Sequence, residues 1–173
     1  MYLRILTFFA FTGIFAMVYG LATQVEPSPE EVAEILAYFE EILLDVDSIL
    51  IFTHNITIAL PMFIPGFGVA WGLFSAWSTG IAFAAILIGT PELGAINPLA
   101  ILLTPFGLME VAAYSIAMSR SFLFMKKIIQ RKPAFTEKIT ILVEIGIVLG
   151  LLVIGGIVEM YMIDAAEKFQ SIV

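Results

Sequence analysis

Apolar runs long enough to cross a membrane occupy most of this sequence. They lie at residues 3–23, 48–64, 66–89, 100–125 and 139–163. A spanning α-helix needs about 20 predominantly apolar residues, and in lipid the backbone satisfies its hydrogen bonds only in helices or closed barrels. The composition agrees, because 61% of the 173 residues are hydrophobic and 13% are charged, whereas soluble domains have about 45–50% and about 25%. We therefore expect an all-α, polytopic transmembrane helical bundle.

The runs and the segments between them divide the chain into five parts. We expect an N-terminal transmembrane anchor at 1–24, an external acidic amphipathic helix at 25–47, a core membrane domain at 48–125, a cytoplasmic basic loop at 126–138, and a last transmembrane helix with an acidic tail at 139–173. The alternative for the first run is a signal peptide with Arg4 as its charged region. The length of the run favours an uncleaved anchor.

Basic residues set the expected orientation. Their main cluster follows the fourth run and contains Lys126, Lys127, Arg131, Lys132 and Lys138. Because short loops rich in Lys and Arg stay cytoplasmic, this loop and the amino terminus, which carries Arg4, are expected inside the cell. Segment 48–64 must then cross the membrane, which gives about five spans and a carboxyl terminus outside. With the amino terminus outside, 48–64 would be re-entrant and the count would be four.

A helix start precedes the external segment. Ser28 suits an N-cap, Pro29 the first helical position, and Glu31 the third position of a capping box. Apolar residues then recur at spacings of three and four as far as Val46, while acids occupy the other face. We expect a solvated helix that packs over the outer end of the bundle. The alternative is an acidic vestibule that concentrates cations.

Ionisable residues inside the apolar runs are the candidates for function. His54 and Asn55 lie in the second run and Glu110 in the fourth, at similar expected depths in the outer half of the membrane. Such residues are costly in lipid and face a protein interior or a wet cavity. This cluster is either a cation or proton site in a polar cavity or a hydrogen-bonded clamp between two helices. Glu159, near the outer end of the last run, is expected to be interfacial.

Arg120 and Glu144 form a second candidate pair. Each lies twelve positions from Lys132, in the loop that joins the last two runs. An antiparallel hairpin therefore brings them to the same height. Because a lone charge in lipid is costly, we expect a structural ion pair.

Glycines indicate close approaches between helices, since small residues at four-residue spacing let two backbones meet. The expected helix-packing positions are Gly66, Gly68, Gly72, Gly80, Gly107, Gly146 and Gly150. Small-residue stripes on two spans also predict a homo-oligomer.

Several classes of function are excluded. The chain has no cysteine, and its net charge of −7 argues against nucleic acid as a partner, which needs a basic surface. It has one histidine and no HExxH, GxSxG or P-loop motif. We expect no enzymatic activity, no metal and no cofactor.

The order of motifs in residues 50–125 carries a resemblance. An apolar helix with Asn near its middle is followed by a Pro/Gly turn, a Gly-rich span, and a helix that opens Pro-x-Gly-x-x-Glu before small residues. The residues concerned are Asn55, Gly66, Gly72, Gly80, Pro105, Gly107, Glu110 and Ala113. This pattern resembles the stage II sporulation protein M family of small polytopic membrane proteins. Family members tend to have Asn-Asn where this chain has His54-Asn55, and His where it has Phe106.

The resemblance implies a membrane component without known catalytic activity. In spore formers such a protein anchors cell-wall-degrading partners at a septum, and elsewhere relatives look like permease-type subunits. Two functions are therefore expected for this cell-membrane protein, whose immediate partner is the lipid bilayer. One is a transport or channel-type subunit for an ion or small solute, with His54, Asn55 and Glu110 lining the path. The alternative is a non-catalytic scaffold that recruits membrane or envelope proteins.

Overall fold

Helices make up all the regular structure in the described part of the chain, so the predicted all-α membrane bundle is confirmed. The computed structural model describes residues 2–44, 46–91, 97–133 and 137–170. The helices are α1 (Tyr2–Ala22), α2 (Pro29–Leu43), α3 (Ser48–Ala59) continued by a 3₁₀ turn (Leu60–Phe63), α4 (Phe67–Gly89), α5 (Pro98–Leu102), α6 (Pro105–Ile129) and α7 (Lys138–Gln170). The turn-rich segment between α4 and α5 lies mostly outside the described residues.

Three helices are long and apolar enough to cross a membrane: α1, α4 and residues Lys138–Ala166 of α7. Helix α6 has 25 residues, which is a sufficient length. It also contains four charged side chains, namely Glu110, Arg120, Lys126 and Lys127. Helix α3 and its 3₁₀ turn form a shorter apolar segment, Ser48–Phe63. The chain is thus a multi-pass membrane protein, and the count of five spans stays a prediction.

The direction of each helix follows from contacts with α6, which lies at the centre of the bundle. Helix α1 is antiparallel to α6, because Thr7 hydrogen-bonds Ser119 at 2.6 Å and Thr12 hydrogen-bonds Ser115 at 3.0 Å. Helix α7 returns antiparallel after residues 130–137. We call the end of the bundle near these residues the loop end, and the end where α6 begins the α2 end.

Segment 48–64 runs beside α6 for most of the depth of the bundle. Asn55 hydrogen-bonds Glu110 near the α2 end, and the Ser121 hydroxyl donates to the Ile64 carbonyl at 2.6 Å toward the loop end. Segment and helix are therefore parallel over about 10 residues, which corresponds to roughly 15 Å. The full crossing of the membrane by 48–64 stays a prediction, because roughly 15 Å is about half of the ~30 Å hydrocarbon core.

The apolar run at 100–125 is interrupted near its start, at Pro105. Helix α5 ends at Leu102, and α6 begins at Pro105 after the N-cap Thr104, whose hydroxyl accepts from the Gly107 amide at 3.1 Å. The physical reason is Pro105, which has no N–H to give to a preceding helical turn and disfavours helical backbone in the residue before it. The polar residues of α6 therefore lie at fixed helical positions after this break.

Two glycines make the turn between the 3₁₀ segment and α4 possible. Gly66 has a φ of +76°, a conformation that side-chain-bearing residues rarely adopt. A Cβ at Gly68 would overlap the backbone carbonyl of Met62. Helix α4 can therefore start directly against the segment that precedes it.

The other expected packing glycines divide into two groups. A Cβ at Gly72, Gly80 or Gly107 would collide with neighbouring helices or turns, so these residues lie at close approaches within the chain. Gly146 and Gly150 have no atom within 4 Å of the position of a Cβ. The homo-oligomer remains a prediction, and these two glycines are free of contacts within the described chain, as a subunit interface would require.

The acidic helix α2 starts as the sequence predicts. The Ser28 side chain accepts from the Glu31 amide, and the Glu31 carboxylate accepts from the Ser28 amide at 2.8 Å, which completes the capping box. These hydrogen bonds lower the pKa of Glu31. Leu36 packs where Gly89 ends α4, so α2 covers the α2 end of the bundle with its acids toward solvent.

Candidate functional site

A small polar cavity lies between α1, α3, α4 and α6. Its volume is about 110 Å³. Most of its lining residues carry an oxygen or nitrogen in the side chain, and these are Tyr19, His54, Asn55, Ser75, Thr79, Glu110 and Tyr114. The remaining walls are apolar. The cavity thus brings together polar side chains from four of the five apolar runs.

A chain of hydrogen bonds runs along one wall of the cavity. The Tyr114 hydroxyl donates to Asn55 Oδ1 at 3.0 Å, and Asn55 Nδ2 donates to Glu110 Oε1 at 2.6 Å. Both functional groups of the Asn55 amide are used, and Asn55 is buried. The structure therefore joins Asn55 and Glu110, and it adds Tyr114, which sequence reasoning missed. Tyr114 follows Glu110 by four residues, so helical spacing on α6 contained the signal for it.

The wall lies at an intermediate depth in the bundle. Asn55 follows the start of α3 by seven residues, and Glu110 follows the start of α6 by five. At ~1.5 Å per residue these positions lie roughly 10 Å and 8 Å from the helix ends. The two side chains meet because the helices are parallel and start near the same end.

Glu159 of α7 adds a second carboxyl group to this region. It lies close enough to Glu110 and Tyr114 for electrostatic interaction with both, and it is half-buried. The interpretation of Glu159 as an interfacial residue stays a prediction. Its electrostatic interaction with Glu110 depends on how α7 packs beside α3 and α6, which the sequence of α7 alone does not reveal.

His54 lies on the rim of the cavity and not in the hydrogen-bonded wall. Its side chain is exposed, and its ring makes no hydrogen bond with the residues that the structure describes. Adjacent residues on an α-helix point about 100° apart, so burial of Asn55 turns His54 outward. The expected three-residue cluster is thus a bonded pair with a histidine beside its opening.

A second charged cluster occupies the loop end. The Arg120 side chain is 1% exposed, and its Nε hydrogen-bonds Glu144, so the structure brings the expected pair together. Arg120 Nη1 also donates to Glu137 at 3.1 Å, and the same Glu144 carboxylate contacts Arg4 of α1. The loop symmetry predicted the first contact. Arg4 and Glu137 were missed, because neither is related to Arg120 by a helical or hairpin register.

Glu137 connects this cluster to the helix before it. Lys127 Nζ donates to Glu137 Oε1 at 2.7 Å. The hydrogen bonds from Lys127 and then Arg120 lower the pKa of Glu137, which lies in the loop outside the spanning helices. The carboxylate form is therefore favoured at this position.

Within the described ranges, no group of three or more His, Cys, Asp or Glu side chains is arranged to hold a metal ion. Glu110 and Glu159 provide carboxyl groups near one cavity, but they do not form such a set.

The comparison with protein families adds an identification to this geometry. The family model described as stage II sporulation protein M matches residues 5–162. No curated protein and no solved structure matches the chain. The matched region contains Asn55, Glu110, Arg120 and Glu144 and most of every long helix, and it extends well beyond the 50–125 region that carried the resemblance. The chain belongs to the stage II sporulation protein M family.

Proposed function

We propose that this integral membrane protein is a small permease-type subunit that passes a cation or proton through the cavity beside Glu110. The observation that supports the proposal is the placement of that carboxyl group. It lies inside the bundle, faces a cavity, and is hydrogen-bonded by Asn55 rather than paired with a base. Ionisable groups within spanning segments mark substrate or ion pathways by default.

The chemistry of the cavity favours a cation over an anion. Carboxyl, amide and hydroxyl oxygens are the ligands that hard cations prefer, and Glu110, Asn55, Tyr114, Ser75 and Thr79 provide them. Among the residues that the structure describes, no Lys or Arg side chain lines the cavity. Negative charge on Glu110 therefore has no Lys or Arg partner at the site, which favours a cation or proton as its counterion.

The size of the cavity limits the substrate. A volume of about 110 Å³ has room for a few water molecules, each of which takes about 30 Å³ in the liquid. An organic solute would need a pocket of roughly 300 Å³ or more. The proposal is accordingly restricted to a proton or a small inorganic cation.

The test is cation and proton flux into proteoliposomes that contain wild type, Glu110→Gln or Glu137→Gln. Glu110→Gln keeps an acceptor for Asn55 but removes the ionisable group, so we expect flux to fall at least tenfold while the thermal stability stays near that of wild type. Glu137→Gln removes a carboxylate at the loop end and serves as the matched control, with flux retained. Absence of flux in wild type, or equal flux in wild type and Glu110→Gln, would refute the proposal.

One observation favours the alternative of a non-catalytic scaffold that recruits membrane or envelope proteins. The nitrogen and the oxygen of the Asn55 amide are each hydrogen-bonded to α6, to Glu110 and to Tyr114, which is the arrangement of a clamp between α3 and α6. A scaffold predicts that Asn55→Ala lowers the stability and that wild type carries no flux. The same proteoliposome and stability measurements therefore separate the two functions.

A further inference from the structure

A groove between α1, α6 and α7 lies away from the cavity, near the loop end. Its volume is about 310 Å³, which is within the range of small-molecule sites. Five of its lining residues are apolar and three are polar, namely Ile5, Phe8, Phe9, Ile116 and Ile147 with Arg4, Ser119 and Glu144. Ser119 and Glu110 are nine residues apart on α6, about 13 Å, so the groove and the cavity are separate sites.

The charges behind this groove do not balance. Arg4, Arg120 and Lys127 contribute three positive charges, and they share only two carboxylates, Glu137 and Glu144. Glu144 contacts two guanidinium groups at once. Among the residues that the structure describes, this cluster at the loop end therefore has an excess of one positive charge, and a charge at the end of a spanning bundle is costly without a counterion.

Arg120 also has an unused hydrogen-bond donor. Its side chain is 1% exposed, and its buried Nη2 has no hydrogen-bond partner among the residues that the structure describes. A buried donor of this kind carries a desolvation penalty. Arg120 does not itself line the groove, but its guanidinium contacts the carboxylate of Glu144, which does. An anion in the groove would add the charge that the cluster lacks.

The apolar part of the groove indicates which anion fits. Ile5 and Ile147 on its walls are 49% and 48% exposed, so the groove opens sideways to the lipid rather than only to water. Lys126 and Lys132 lie at the same end of the bundle and increase the positive potential there. Basic sites between spanning helices with apolar walls suit phospholipid headgroups and the first part of their acyl chains.

We propose that this groove binds one anionic phospholipid, with its phosphate at Arg4 and an acyl chain along Phe8, Phe9 and Ile116. The phosphate balances the positive charge shared by Arg4 and Arg120. The chain covers the apolar wall between α1 and α7. A free phosphate ion would satisfy the charge but leave this wall uncovered, so the lipid is the ligand that uses the whole groove.

The first measurement is native mass spectrometry of delipidated protein titrated with phosphatidylglycerol, phosphatidylcholine or inorganic phosphate. We expect one phosphatidylglycerol to bind at least fivefold more tightly than phosphatidylcholine, since each basic residue near a membrane surface contributes about that factor toward anionic lipid. Equal binding of the two lipids would overturn the proposal. Displacement of phosphatidylglycerol by equimolar inorganic phosphate would assign the site to a free anion and would also overturn it.

Two pairs of variants locate the bound lipid. Ile147→Trp fills the groove without changing any charge, and Ile154→Trp adds the same bulk to another exposed position of α7. Arg4→Gln removes a lining charge, and Arg131→Gln removes an exposed charge at the same end outside the groove. We expect the first member of each pair to weaken phosphatidylglycerol binding roughly fivefold or more and the second by less than about twofold.

The variants also guard against misfolding as an explanation. If Arg4→Gln fails to fold, Ile147→Trp still tests the groove with the ion pairs intact. Equal losses in Ile147→Trp and Ile154→Trp, or in Arg131→Gln and Arg4→Gln, would show diffuse adsorption around the helices and would refute a defined site.

Discussion

Glu144 is the residue whose neutralisation should cost this protein the most stability. Its side chain is 12% exposed and contacts Arg120, which is 1% exposed, as well as Arg4. Glu144→Gln has nearly the same shape but leaves the buried guanidinium with Glu137 alone. Removal of one partner from a buried pair costs about 3–5 kcal/mol, because the other charge stays uncompensated. We expect the free energy of unfolding to fall by that amount.

The matched control is Glu137→Gln in the same cluster. Glu137 is 42% exposed, and ion pairs that water reaches contribute only about 0–1 kcal/mol. Unfolding in mixed micelles with increasing SDS, followed by circular dichroism, measures both variants against wild type. For Glu144→Gln, the expected loss of stability raises the unfolding equilibrium constant by roughly two to three and a half orders of magnitude. A loss below about 1 kcal/mol, or an equal loss in Glu137→Gln, would refute the reasoning.

Two further predictions concern the backbone and acid stability. Gly68→Ala should lower the free energy of unfolding by about 1–3 kcal/mol, because the added Cβ would overlap the Met62 carbonyl. Gly146→Ala, where a Cβ meets no atom, should be neutral or stabilising by up to about 1 kcal/mol. Equal shifts of the melting temperature in the two variants would contradict this prediction. Folding lowers the pKa of Glu137, so its carboxylate stabilises the folded protein. This stabilisation is fully present above about pH 4.3, the pKa of Glu in an unfolded chain, and it is lost as the pH falls through the lower pKa of the folded protein. Melting temperatures of wild type and Glu137→Gln should therefore converge between pH 6 and pH 3, and a constant difference would argue against it.

The local features of this structure were predictable from the sequence. Apolar runs located the helices, and the capping box at Ser28 fixed the start of α2. Register from a shared loop was sufficient to pair Arg120 with Glu144, since a hairpin relates such positions without knowledge of other helices. Asn55 and Glu110 were found because polar side chains in apolar runs need partners at the same depth.

Contacts between helices that are distant in the sequence could not be predicted from the sequence alone. Arg4 meets Glu144 and Glu159 approaches Glu110 only because α1 and α7 both pack beside α6. No periodicity in one helix reports which other helix lies next to it. His54 lines the cavity but takes no part in the hydrogen bonds of Asn55, because adjacency in sequence to Asn55 means separation around the helix.

The two polar clusters also constrain how the bundle can move. Near the α2 end, Asn55 of α3 hydrogen-bonds Glu110 of α6, and near the loop end Glu144 of α7 pairs with Arg120 of α6, ten residues further along. Rotation of α6 by the angle of a single residue would withdraw both side chains from their partners together. Helix α6 is therefore held in place at two levels, and we expect the cavity, which lies between α1, α3, α4 and α6, to open by movement of α1, α3 or α4 relative to it.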